Sequence, residues 1–227
     1  MKIVIMLSNN NVLVLLSGGI DSTVALWKMK EQGYNLYTIT FNYFKRFSKE
    51  IECCSQISKL AGTIEHKIIN LDFLSEFEDE IYSSSSSLYK KNNIIPPNYI
   101  SFRNLIFYSL AAWYAETHGI EIIVGGHNKN DINYFPDTSI NFFEDLTKLF
   151  NFSTYTSNKI QYDIFMPLHK LTKTQVLEEA IRLKIPLDLT WSCEKQENFA
   201  CGLCRSCTLR LTSFKKINMI DPIQYDD

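Results

Sequence analysis

Short apolar runs alternate with longer stretches of helical spacing along this chain. Ile3–Leu7, Val12–Leu16, Leu36–Phe41, Glu65–Leu71, Glu121–Val124 and Tyr162–Phe165 read as strands. Between them, residues 22–32, 48–60, 72–82, 103–118, 139–151 and 172–184 carry helix-spaced apolar positions with stop signals at Gly33, Gly119 and Pro186. A last helix is predicted over 209–220. Strands that alternate with helices predict an α/β fold, a mostly parallel sheet with helices on both faces. The run SSSSSLYKKNNIIPPN, residues 83–98, reads as a loop.

In open sheets of this kind, ligands sit beyond the carboxyl ends of the strands. That draws attention to Ser17-Gly18-Gly19, Asn42-Tyr43, Asp72 and Gly125-Gly126. The first is the most informative, because LLSGGIDSTV passes from strand through two glycines into a helix. Glycines let backbone N–H groups approach a ligand, and the helix start attracts anions. Ser17, Ser22 and Thr23 add hydroxyls, so the stretch suits a phosphate or pyrophosphate. Asp21 would repel a bare anion and fits better as a ligand of Mg²⁺ carried on the phosphates. The stretch is neither a G-x-x-x-x-G-K-[ST] loop nor G-x-G-x-x-G. The bland alternative is a strand-to-helix turn capped by Asp21 or Ser22.

Composition changes this picture little. A net charge of −2 gives no general attraction to nucleic acid or anionic membrane. No apolar run approaches the ~20 residues of a membrane span, so a cytoplasmic protein without a membrane partner is expected. The cysteines change it more. Cys193, Cys201, Cys204 and Cys207 crowd into 15 residues, and in a cytosolic chain that points to metal rather than disulfides. Four thiolates can close around one tetrahedral Zn²⁺ as a structural site, with an iron–sulfur cluster as the rival. The chain therefore divides into residues 1–190, holding the nucleotide, and 191–227, a C-terminal cysteine segment with a final helix.

SGGIDST resembles the SGGxDS signature of the PP-loop ATP pyrophosphatases, which grip the ATP β,γ-phosphates and transfer AMP to a substrate oxygen. TWSC followed by CGLCRSCTLR resembles the zinc motif of the QueC family within that superfamily. FNYFKR, SFRNLIFYSLAA, GGHNKNDINYFPD and MPLHKLTKTQVLEEAIRLKIP resemble further QueC stretches, so the likeness runs from about Val12 to Phe214. It implies a Rossmann-like PP-loop sheet, ATP and Mg²⁺ at Leu16, Ser17, Gly18, Gly19, Ile20, Asp21, Ser22 and Thr23, and structural Zn²⁺ on the four cysteines. Ser17, Asp21 and Ser22 would serve catalysis, with Lys45, Arg46 and Arg103 neutralising phosphate charge. Phe41 and Tyr43 would line or stack on a 7-deazaguanine base. Asn104 and Phe135 fall in the same motifs, and Asp131 and Asp137 would accept hydrogen bonds from its amino edge. His127, among them, reads as structural.

The resemblance implies a homodimer that activates 7-carboxy-7-deazaguanine as an acyl-adenylate and couples it to ammonia, giving amide and then nitrile. Two stretches depart from the family pattern. Lys45-Arg46-Phe47 stands where Q-R-H is common, and Pro136-Asp137-Thr138-Ser139 where P-D-C-R is common. The alternative is therefore a QueC-like amide ligase joining a deazaguanine to a protein or other amine, as in bacterial defence systems. A tRNA-thiolating enzyme fits less well, since it wants a basic face and a reactive cysteine. An intact SGGIDST argues against a non-catalytic binding module.

Overall fold

A computed structural model describes residues 10–44, 46–76, 100–156 and 159–226. Its five strands are β1 (Asn11–Leu15), β2 (Asn35–Asn42), β3 (Glu65–Asn70), β4 (Ile122–Val124) and β5 (Asp163–Phe165). They form one parallel sheet in the order β3-β2-β1-β4-β5. The helices are α1 (Ile20–Glu31), α2 (Ser48–Ala61), α3 (Arg103–Thr117), α4 (Ile140–Ser153), α5 (Lys173–Arg182) and α6 (Arg205–Lys216).

Alternation along the strands builds two cores. Val12 and Val14 of β1 and Val124 of β4 face one side, where α1, α2, α5 and α6 pack. Leu13, Ile39 and Ile123 face the other, under α3 and α4. Burying each such side chain contributes roughly 1.5–3 kcal/mol, so the central strands are apolar on both faces. The chain leaves β1 toward β2 and β3, then returns to β4 on the opposite side of β1. That reversal opens a crevice at the carboxyl ends of β1 and β4.

Several boundaries differ from the pattern-based expectation. Helix α1 starts at Ile20, not Ser22, and its N-cap is Gly19. Neither Asp21 nor Ser22 caps it; both lie in the first turn, and their N–H groups have no partner within the helix. Helix α6 starts at Arg205, not 209, because Cys204 is its N-cap and accepts from the Cys207 N–H at 3.4 Å. The cysteine motif thus runs directly into the helix. The expected strand Ile3–Leu7, the 83–98 loop and most of the 72–82 helix lie outside the described residues.

The C-terminal segment is packed into the first core, since Cys193, Ala200, Cys204, Phe214 and Ile223 share it with Val12 and Val24. Arg210 secures it. This guanidinium is buried, and all its N–H groups are used: Nε and Nη2 on Asp221 at 2.7 and 2.9 Å, Nη1 on Thr190 O and Oγ1 at 3.2 and 2.8 Å, and Nη2 on Leu187 O at 3.0 Å. The Tyr225 hydroxyl donates to the same Asp221 carboxylate at 2.6 Å. One residue past Thr190, the Trp191 N–H donates to the Gly18 carbonyl at 2.9 Å. The cysteine segment therefore holds the glycine loop from behind.

Candidate active site at the switch point

A cavity of about 280 Å³ opens where the strand order reverses. Its polar lining comes from Ser17, Asp21, Ser22, Arg46, Arg103 and Asp131. Its apolar and aromatic lining comes from Ile39, Phe41, Tyr43, Phe107 and Tyr108. Phe41 and Phe107 stack at 4.5 Å between centroids, and Tyr43 tilts against Phe107 at 5.5 Å. A flat heterocycle beside an anionic tail matches this division.

The glycine loop supplies part of the polar lining. Gly18 takes φ +79°, and a side chain there would meet the Glu50 carbonyl of α2 at 2.7 Å. Only glycine fits that backbone against that helix. Across the crevice, a Cβ on Gly126 would lie 2.7 Å from Ser22 N and Cα, so the end of β4 rests directly on the first turn of α1. Ser22 Oγ accepts from the Ser17 N–H at 3.1 Å and pairs with Ser17 Oγ at 2.9 Å, which leaves the Ser17 hydroxyl exposed at the mouth. Thr23 behaves differently from the expectation of a ligand contact. Its hydroxyl is fully buried and donates to Gly19 O at 2.7 Å, so it closes the turn. Leu16 and Ile20 are likewise buried, so what they offer an anion is backbone.

Arg46 is a brace more than a free cation. It donates to the carbonyls of Phe41, at 2.9 Å, and Ser17, and lies 3.4 Å from Glu50. It ties the ends of β1 and β2 together while one edge still faces the cavity. Burial raises the pKa of the Glu50 carboxyl, with Arg46 and the Phe47 N–H opposing that rise. Arg103 lies over the Phe135 ring at 5.2 Å and lines the cavity. Lys45 lies outside the described residues.

Asp21 is held by two groups from other quoted motifs, to which the sequence assigns no role by itself. Lys173, the first residue of α5, pairs directly with its carboxylate, and Asn128 Nδ2 donates to it at 3.5 Å. The same Asn128 Nδ2 reaches Asp131 at 3.2 Å, and the Asn128 N–H donates to Asp131 at 2.9 Å. Asn128 therefore links Asp131 to Asp21 within the cavity lining. Burial and the Asp21 charge push its carboxyl up to about 6, opposed by the Asn128 N–H, Lys173 and Arg205. His127 lines the cavity and stacks on Phe143 at 5.3 Å. Burial, then the Arg103 charge, lower its pKa to about 4, so the imidazole is neutral at neutral pH.

Asn104 lines the cavity from the first turn of α3. Asp137 does not reach the cavity among the described residues. Its carboxylate accepts from the Asn104 N–H at 3.2 Å, and its carbonyl from Asn104 Nδ2 at 2.9 Å. Asp137 thus seats the start of α3, while Ser139 caps α4 by accepting from the Phe142 N–H at 3.2 Å. Phe135 sits outside the cavity lining, beneath Arg103. The departure at 139 has local work, since the Ser139 side chain is a helix cap; the Phe47 contact with Glu50 is made by its backbone N–H and does not explain the side chain.

The four cysteine sulfurs converge, all within 4.8 Å of one another. Backbone N–H groups point at three of them: Lys195 and Cys201 at Cys193, Cys204 at Cys201, and Cys207 at Cys204, all between 3.2 and 3.5 Å. Burial raises the Cys201 thiol, but the Cys204 and Leu203 N–H groups outweigh it and bring the group down to about 7. N–H donors that favour thiolate, around sulfurs at this spacing, suit a metal ion with Zn–S bonds of about 2.3 Å. Cys53 and Cys54 are not part of this cluster; they are buried on α2 against the glycine loop.

Sheet order, switch-point cavity and glycine loop define an α/β protein of the PP-loop fold. Solved structures agree on the fold. NMN synthetase from Francisella tularensis is similar at TM-score 0.54 and 19% identity, over 94% of this chain and 79% of that one. NH3-dependent NAD synthetase from Campylobacter jejuni is similar at TM-score 0.51 and 18% identity, over 80% and 67%. The chain belongs to the QueC family: the family model described as queuosine biosynthesis protein QueC matches residues 11–218. A 7-cyano-7-deazaguanine synthase from Sulfurimonas denitrificans is 37% identical over 96% of this chain and 99% of its own length. One from Sulfurovum sp. is 36% identical over 93% and 96%. Among the described residues no helix is long and apolar enough to cross a membrane.

Proposed function

We propose that this protein is an ATP-dependent 7-cyano-7-deazaguanine synthase that activates a carboxylate as its adenylate. The observation that carries this reading is a cavity joining an anion-seeking glycine loop to an aromatic wall. The ATP phosphates bind the N–H groups of Gly18 to Ser22 and the Ser17 hydroxyl. Asp21 would hold a Mg²⁺ ion, which would supply charge neutralisation on those phosphates. Lys173 pairs with Asp21 and lies close enough to share that work. Phe41, Tyr43 and Phe107 hold the planar base. The four cysteines would hold Zn²⁺, which would serve as a structural centre.

The chemistry follows from the leaving groups. A carboxylate cannot expel oxide. Attack of its oxygen on the ATP α-phosphorus releases pyrophosphate and gives an acyl-adenylate. Ammonia then displaces AMP to form the amide. Attack of the amide oxygen on a second ATP again releases pyrophosphate, and loss of AMP and two protons leaves the nitrile. Arg103 and Lys173 balance the charge that builds on the phosphates. The neutral His127 beside Asp131, with Nδ1 at 3.9 Å from the carboxylate, adds no charge to the site and serves as packing.

The test incubates the protein with Mg·ATP, 7-carboxy-7-deazaguanine and ammonium and reads products by mass spectrometry. Nitrile with two AMP per turnover is the expected result. Amide as the end product, or a mass increase on another protein, favours the amide-ligase alternative. ADP in place of AMP sinks the adenylation chemistry altogether.

A further inference from the structure

The chain has five arginines, and three are committed to hydrogen bonds. Arg46 braces two strand ends, Arg182 pairs with Glu31 and Glu179, and Arg210 is buried on Asp221 and Thr190. The other two are arranged differently. Tyr134 and Phe135 are neighbours in the loop that follows β4, and each carries a guanidinium on its ring. Arg103 Cζ lies 5.2 Å from the Phe135 centroid, and Arg205 Cζ 3.5 Å from the Tyr134 centroid. Among the described residues neither guanidinium has an acceptor within hydrogen-bond range.

Stacking on a ring fixes the plane of a guanidinium and leaves its edge N–H groups free. That planar fork is the geometry that receives a carboxylate or a phosphate with two parallel hydrogen bonds. Arg103 is already in the cavity wall. Arg205 comes from the start of α6, between Cys204 and Cys207, so the cysteine centre fixes its root. Its charge is felt by Asp131, which lines the cavity. Asp131 is not within ion-pair distance of it and already accepts from Asn128.

We infer that Arg205 is a second anion-receiving residue of the site, pre-aimed by Tyr134 and taking a carboxylate or phosphate oxygen of the bound substrates. The inference rests on the adenylating reading above and names a residue of that same site. The cysteine centre then has a use beyond stability, because it carries a cation onto the loop that follows β4 as well as holding Gly18 from behind.

Calorimetric titration of the metal-replete full chain tests this with two separate probes, pyrophosphate and 7-carboxy-7-deazaguanine. R205A should weaken one of them about 10-fold or more, the worth of a charge-assisted hydrogen bond. R205K should recover less than half of that loss on a logarithmic scale, since an ammonium lacks the fork. Y134A keeps the charge but frees it, and should give a smaller loss for the same probe. Loss on pyrophosphate assigns the residue to a phosphate, and loss on the acid assigns it to the carboxylate; either supports the inference. Unchanged binding of both probes by R205A overturns it. So does an equal loss on both with lower metal content or melting temperature, which marks a purely structural residue. If the unaltered protein binds neither probe, the adenylating reading fails and this inference falls with it.

Discussion

Gly126→Ala is the substitution the geometry condemns most directly. Its Cβ would lie 2.7 Å from Ser22 N and Cα, where an ordinary contact is at least 3.4 Å. The atoms it meets are backbone, so no side chain can swing away. Either β4 or the first turn of α1 must yield by roughly 0.7 Å. Overpacking of this kind costs about 1–3 kcal/mol. For a chain of this length, about 2–4 °C of melting temperature follow per kcal/mol. The larger effect is on the reaction, because the displaced turn carries the N–H groups and Asp21. A misplacement approaching 1 Å costs on the order of 100-fold in rate. Gly62→Ala is the control. Gly62 has φ +76° and open space around its Cβ, so alanine there costs about 1–2 kcal/mol of backbone strain far from the cavity. Thermal unfolding should fall similarly in the two variants, while kcat/KM for AMP release collapses only in Gly126→Ala. Near-normal kcat/KM in Gly126→Ala would refute the claim that β4 and the glycine loop form one phosphate seat.

Other expectations follow from the same geometry. Arg210→Met leaves Asp221 buried without its cation, so it should lose about 3–5 kcal/mol in chemical denaturation; the double variant Arg210→Met, Asp221→Leu should regain much of that, and simple additivity would contradict the pairing. His127 is held neutral by burial and Arg103, with its folded pKa near 4 against an ordinary 6.5. Protons then bind the unfolded chain more readily, so stability is fully present above pH 6.5 and is lost as pH falls toward 4. His127→Gln should flatten the stability profile across that window, and an unaltered slope would show that other groups set it. Metal analysis should find about one Zn²⁺ per chain. Chelation should lower the melting temperature and speed amide exchange at Trp191, whose N–H donates to Gly18; a chelated protein with unchanged exchange there would uncouple the cysteine centre from the glycine loop.

Local chemistry in the sequence was enough to locate the glycine loop between β1 and α1 and the cysteine cluster. SGGIDST and the cysteine spacing are short-range signals, with each residue's neighbours in sequence also its neighbours in space. Residues that meet only through the fold were not legible in this way. Lys173 reaches Asp21 across 152 positions, and Gly126 touches Ser22 only because β4 returns beside β1. Arg210 stood in a quoted motif, but nothing local shows that its partner is Asp221, beyond the end of α6. Thr23 illustrates the opposite error: a hydroxyl in a phosphate loop suggests a ligand contact, yet one step along the helix turns it onto Gly19 O. The family resemblance makes Asp137 a base-reading carboxylate. It is claimed instead by the Asn104 N–H of an earlier helix, a contact set by the packing of α3.

The central claim is that the substrate carboxylate attacks the ATP α-phosphorus at the glycine loop. Supplying 7-carboxy-7-deazaguanine with ¹⁸O in its carboxylate, and analysing the released AMP by mass spectrometry, tests that step alone. One labelled oxygen in each AMP is the predicted result. AMP that carries no label, or ADP in its place, would contradict the account.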